Sequence, residues 1–242
     1  MLTSLELAQT MNLKLFILAM FILGSCQSGN KDATNSTAVK HAAIAEDIIN
    51  LTQHGIANNP NNVLGGLKED DIAPDFELED QDGNLVSLYK ELDQRPVLLV
   101  FYRADWCSIC RRHLAEFQDR LNDLGDSGSA KVLAISPQLP KYSQALHKDN
   151  SYSFPILYDH DHQAMKDYRV FFHVTEKYNQ YITEEKGDPI ELRNGNLEPV
   201  MPVPATYMID QNKSIKYVHY DPNYRVRADV DEVLQSINES TD

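Results

Sequence analysis

Cys107 and Cys110 are the residues of this chain whose type and spacing best suit chemistry. They close the segment Val97-Leu98-Leu99-Val100-Phe101-Tyr102-Arg103-Ala104-Asp105-Trp106-Cys107-Ser108-Ile109-Cys110. The apolar run at its start reads as a buried strand. After it, Leu114, Phe117, Leu121 and Leu124 recur at helical spacing. The thiols therefore stand where a strand hands over to a helix N-terminus. Unpaired backbone N–H groups and the helix dipole favour an anion there, and the thiolate is the reactive form of cysteine. Cysteines at this spacing can also meet the Cα separation that a disulfide needs.

Arg103, Arg111 and Arg112 flank the pair in a chain whose formal net charge is −14. Positive charge and a helix end both lower a thiol pKa from its reference of ~8.5. A drop of two units represents ~2.7 kcal/mol of preference for thiolate. Arg103, inside the turn, is expected to act on the thiols; Arg112 suits a solvated helix face equally well. Trp106 is expected at the rim of the site, and Asp105 as a cap on the helix that follows. Zinc is the rival use of Cys-x-x-C. A structural zinc needs four ligands, and the chain has no second such pair. His113 is isolated, and His160-Asp161-His162 reads as a turn into a helix. No metal and no cofactor are expected.

Strands and helices alternate around this junction. Ala73–Leu78 and Leu85–Leu88 read as a hairpin about the turn Asp82-Gly83-Asn84. Lys131–Ser136 is a buried strand, residues 139–148 a helix, residues 154–158 a short strand, and Asp161 the N-cap of a helix to Tyr168. Residues 171–200 are charged and aromatic and read as an irregular insertion. Ala205–Ile209 and Ser214–Tyr220 form a strand pair, and a helix over 228–237 closes the chain. The first half predicts a parallel βαβ unit and the second an antiparallel edge. The expected class is α/β: a thioredoxin-like fold with a central mixed sheet flanked by helices and an N-terminal hairpin extension. Pro204 is expected to hold a cis peptide bond facing the thiols, with Thr206 beside it.

The third cysteine, Cys26, follows an apolar run over 13–23 led by Lys14. That run has signal-peptide length and is too short to span a membrane, which takes ~20 residues. Leu23-Gly24-Ser25-Cys26 resembles the lipobox of bacterial lipoproteins, which implies acylation of Cys26. The expected division is a signal over 1–25, a tether and short helix over 26–66, and a folded domain over 67–242. The expected place is the bacterial cell envelope, with a membrane partner through the lipid anchor. The acidic balance excludes non-specific nucleic-acid binding.

Residues 67–240 resemble a peroxiredoxin-like member of the alkyl hydroperoxide reductase / thiol-specific antioxidant family, within the thioredoxin superfamily. The resemblance rests on Ala73-Pro74-Asp75-Phe76 with the turn after it, on Phe101 to Cys110, on Pro204-Ala205-Thr206-Tyr207-Met208-Ile209-Asp210, and on Tyr220-Asp221-Pro222-Asn223-Tyr224-x-x-Arg227. It implies a thiol peroxidase that takes a hydroperoxide and is regenerated by a thioredoxin-like dithiol. Cys107, Cys110 and Arg103 would be catalytic, and Trp106, Pro204 and Thr206 would contact substrate. The family's Pro-x-x-x-Thr-x-x-Cys pattern places its attacking cysteine at Cys110 and its Thr at Cys107. Trp-Cys-x-x-Cys, the thioredoxin pattern, nominates Cys107 instead. The family's Arg ahead of the Thr-Phe-x-Ile-Asp strand is replaced here by Pro204. The alternative activity is thiol–disulfide exchange on protein disulfides in the envelope.

Overall fold

A computed structural model describes residues 51–124 and 130–239. The signal run, Cys26, the tether and most of the short helix expected within 26–66 lie outside the described residues. The chain order is β1 (Glu77–Glu79), β2 (Leu85–Ser87), α1 (Leu88–Leu92), β3 (Val97–Phe101), α2 (Ser108–Leu124), β4 (Lys131–Ser136), α3 (Pro140–Asn150) and β5 (Ile156–Tyr158). Then come α4 (Gln163–Asp167), β6 (Phe171–His173), α5 (Glu176–Lys186), α6 (Ile190–Asn194), β7 (Val200–Pro202), β8 (Ala205–Ile209), β9 (Ile215–Tyr220) and α7 (Val230–Glu239).

Seven strands form one sheet in the order β2-β1-β5-β4-β3-β8-β9. β3 and β4 are parallel, as are β4 and β5, while β8 and β9 add antiparallel neighbours and β1 pairs antiparallel with β5. The sheet is therefore mixed, as expected. β3 is buried at every position because both faces are covered. Leu99 and Phe101 enter the core on one face with Leu133, Ile135 and Tyr207. Leu98 and Val100 enter the other with Leu114 and Phe117 of α2 and with both cysteines. The alternation of β3 thus fixes which side of the sheet carries α2, and with it the thiols.

The expected first strand narrows to Glu77–Glu79. Leu88 enters α1 rather than β2, because the Ser87 side chain accepts the Lys90 N–H and caps a helix there. α4 starts at Gln163, with the Ala164 and Met165 amides donating to the Asp159 carboxylate. Asp161 accepts the Gln163 N–H but is not the capping residue.

Residues 171–200 are not irregular. β6 and β7 pair antiparallel, Phe171 opposite Pro202 and Phe172 opposite Met201. α5 is capped by Thr175, whose hydroxyl accepts the Tyr178 N–H, and is stopped by Gly187 in the left-handed region. Strands of three residues show no readable alternation, and α5 buries Ile182 alone, so neither period is visible in the sequence. Residues 56 and 63 bridge to Val174 and Phe171, which places the segment before Leu67 on this second sheet. No helix among the described residues is long and apolar enough to cross a membrane.

Gly55 is the tight point of that packing. It stands at φ +85°, and a Cβ there would lie 2.8 Å from Cγ of Tyr178. Gly55→Ala is expected to lower the urea-unfolding free energy by at least about 1 kcal/mol, since it meets both the left-handed penalty and the ring. Equilibrium unfolding of the two proteins checks this.

Candidate active site

The chain leaves β3 at Phe101 and turns into α2 at the cysteines. Cys107 takes the N-cap position: its Sγ accepts the Cys110 N–H at 3.3 Å and its carbonyl accepts the Arg111 N–H at 3.0 Å. The two cysteines form a disulfide with Cα atoms 5.2 Å apart. Cys107 is 6% exposed and Cys110 is 2% exposed.

Asp105 is not the cap. Its carboxylate is held by Nη2 of the buried Arg193 on α6, at 2.9 and 3.1 Å, and its backbone N–H donates to Gln138 at 2.8 Å. The Arg193 guanidinium lies 4.1 Å from the Tyr142 ring centre. The sulfur of Cys107 occupies the capping place instead, because α2 starts at Ser108, two residues later than a cap at Asp105 requires.

Arg103 is buried inside the turn, as its position suggests, but it is not directed at a sulfur. Its guanidinium carbon lies 5.2, 4.9 and 4.1 Å from the ring centres of Trp106, Tyr178 and Tyr224. Its hydrogen bond goes to the Tyr178 hydroxyl. Burial holds its pKa below the ordinary arginine value, opposed by the neighbouring phenols. The cation at the thiols is Arg227, whose Nη2 lies 3.4 Å from Sγ of Cys110. Burial, then the charge of Arg103, lowers Arg227 to about 10. In the sequence Arg227 is only the last residue of the Tyr220–Arg227 motif, with no neighbour in the chain that gives it a role. A residue 117 positions from Cys110 reaches it only through tertiary packing. Arg111 and Arg112 are exposed, on the solvated face of α2.

Pro204 and Thr206 line a narrow cavity with Cys110, His113, His219 and Arg227. Its volume is about 10 Å³, close to what one water needs. Thr206 belongs to β8, opposite Val100 of β3. The cis bond expected at Pro204 is absent: among the described residues every peptide is trans. The Val203 N–H is tied to the Val170 carbonyl at 2.7 Å, so the chain runs extended from β7 into β8. Trp106 is half-buried and packs against both core faces. No cluster of three or more His, Cys, Asp or Glu suited to a metal occurs among the described residues.

His113 is buried against Phe117, and its Nε2 sits 3.2 Å from the Ala228 carbonyl. Burial, then Arg227, pushes its pKa down to about 4. An unfolded histidine titrates near ~6.5, so between these values the unfolded chain binds more protons and folding stability falls as pH falls. His113 alone is expected to cost about 2 kcal/mol between pH 7 and pH 5. In urea titrations His113→Gln should show a correspondingly smaller loss over that interval.

A thioredoxin-like sheet carrying a buried dithiol at a helix start defines a redox protein. The chain belongs to the AhpC/TSA family, whose sequence profile matches residues 70–218. It is 29% identical to "Peroxiredoxin Q, chloroplastic" of Triticum aestivum over 153 residues, covering 62% of this chain and 70% of that one. It is 34% identical to "Peroxiredoxin Bcp" of Escherichia coli (strain K12) over 108 residues, covering 45% and 68%. Among solved structures, peroxidoxin BcpB from Mycobacterium tuberculosis superposes with a TM-score of 0.55 at 21% identity, covering 72% of this chain and 97% of that one. A putative protein disulfide isomerase from Bacteroides thetaiotaomicron gives 0.51 at 19%, covering 73% and 92%. These two likenesses speak for the fold. Family membership and the Cys107–Cys110 pair make the chain a peroxiredoxin-like thiol peroxidase.

Proposed function

We propose that Cys110 attacks the hydroperoxide and Cys107 resolves the product. The observation that carries the assignment is the Arg227 guanidinium on Sγ of Cys110. A charge-assisted donor outweighs the neutral amide that Cys107 receives. The Cys110 thiolate attacks one oxygen of ROOH and the O–O bond breaks. The sulfur is oxidised to sulfenic acid, and RO⁻ leaves and takes a proton as ROH. Cys107 then displaces hydroxide from that sulfur, which leaves as water, and the disulfide forms. An external dithiol of the thioredoxin type returns two electrons by exchange through a mixed disulfide. His113, kept neutral by burial, adds no competing charge beside Arg227.

Stopped-flow mixing of the reduced protein with hydrogen peroxide, followed through the single tryptophan, tests the reading. Cys107→Ser should accumulate sulfenic acid on Cys110, while Cys110→Ser should react no faster than free cysteine. Trapping on Cys107 in the Cys110→Ser protein would reverse the assignment. Arg227→Met should lower the second-order rate about 10- to 100-fold, the worth of ~1.5–3 kcal/mol for a hydrogen bond to a charged group. The pH of half-maximal rate should rise with it, which a purely structural role would not produce.

Thiol–disulfide exchange on proteins is the second reading. It is supported by the N-cap placement and greater exposure of Cys107. Failure to reduce insulin at any redox poise would remove it. For location, we propose a lipid-tethered protein of the bacterial envelope, supported by the Leu23-Gly24-Ser25-Cys26 segment behind an apolar run. Intact mass of the membrane fraction should show an acylated Cys26 as first residue; an unmodified Cys26 would overturn this.

A further inference from the structure

His219 on β9 belongs to a row of side chains that leads to the thiols. It pairs with Thr206 of β8, which pairs with Val100 of β3. Paired residues share a sheet face, and the face of Val100 carries α2 and both cysteines. The imidazole therefore lies on the α2 side. There it lines the narrow cavity that Cys110 and Arg227 also line. Its Nε2 is buried and meets no partner among the described residues, whereas a hydrogen bond joins the ring to the Val226 carbonyl. That bond falls to Nδ1, and a donating Nδ1 leaves the lone pair on Nε2. His113 lines the same cavity but is already engaged, its Nε2 sitting 3.2 Å from the Ala228 carbonyl.

A cavity of about 10 Å³ has room for one water. The imidazole lone pair, the Cys110 sulfur and the Arg227 guanidinium, whose Nε and Nη1 are buried and unmet, are the polar partners such a water needs. We propose that His219 relays the proton of the peroxidase reaction through one water between its Nε2 and Sγ of Cys110. This rests on Cys110 as the attacking sulfur and adds the route of the proton. The Cys110 thiol gives its proton through the water to Nε2. The thiolate attacks ROOH, the O–O bond breaks and the sulfur is oxidised to sulfenic acid. The alkoxide RO⁻ takes the proton back by the same route and leaves as ROH. Cys110–SH and ROOH thus become Cys110–SOH and ROH, with no proton drawn from outside. Burial holds the His219 pKa below the ordinary histidine value, opposed first by the Val226 carbonyl and then by Asp221. Arg227 lowers it further and Glu232 raises it. At neutral pH the ring is therefore unprotonated and able to accept, and it returns the proton readily.

The leaving group tests the relay. tert-Butyl hydroperoxide expels an alkoxide, which needs a proton, whereas peracetic acid expels acetate, which does not. The full-length Cys107→Ser protein, in which Cys110 alone can attack, is the parent. Its single-turnover rates at neutral pH are followed through Trp106, the single tryptophan. Adding His219→Gln keeps a donor for the Val226 carbonyl and removes the proton carrier. It should slow the reaction with tert-butyl hydroperoxide about 100-fold and the reaction with peracetic acid hardly at all. An equal loss with both peroxides would make His219 merely structural and overturn the relay, and no loss with tert-butyl hydroperoxide would overturn it too. No reaction of the parent with either peroxide would instead defeat Cys110 as the attacking sulfur. Nitrogen NMR of the ring in the unaltered protein decides independently, including where His219→Gln fails to fold. A neutral ring with its proton on Nδ1 is expected; a proton on Nε2 at neutral pH would overturn the relay.

Discussion

Arg103 is a full positive charge taken out of water and held by aromatic faces instead of a carboxylate. Desolvating such a group costs several kcal/mol. Each cation–π contact returns about 0.5–2 kcal/mol, and Tyr178 adds a hydrogen bond. The three rings come from three parts of the chain: Trp106 from the cysteine turn, Tyr178 from α5, and Tyr224 from the segment after β9. Each must be in place for Arg103 to stay buried, so the charge ties the turn, the α5 region and the last loop to one arrangement. A second tie runs from Asp105 in the same turn to Arg193 on α6.

The same arrangement sets the electrostatics of the dithiol. The chain as a whole is strongly acidic, yet Arg227 at Cys110 and its neighbour Arg103 have no ion pair among the described residues. An arginine neutralised by a carboxylate would do little for a thiolate; one without a partner stabilises it at full strength in a site of low dielectric. His113 completes the pattern by staying neutral, since burial and Arg227 both disfavour its charged form. Beside Cys110 the positive charge is thus that of Arg227, with His113 neutral next to it.

Much of this was legible in the residues. The all-apolar run at Val97 and the helical spacing from Leu114 placed the thiols at a strand-to-helix junction, because local periodicity encodes which faces are buried. β4 and β8 kept their expected bounds for the same reason. The folded pieces within 171–200 were hidden because strands of three residues and a mostly polar helix carry too few apolar positions to define a period. The cis bond expected at Pro204 is absent because the two X–Pro isomers differ by only ~0.5–1 kcal/mol, too little for local sequence to decide between them.

The sequence by itself determined the fold class, the dithiol and the family pattern, since each is carried by residues close together in the chain. It left two attacking sulfurs open and assigned the thiol's cation to Arg103. Tertiary structure alone brought Arg227 to Cys110, turned Arg103 into an aromatic cage and gave Asp105 to Arg193. Those choices depend on which distant side chains share one low-dielectric pocket. No spacing rule records that, because a charge is decided by its neighbours in space and not by its neighbours along the chain.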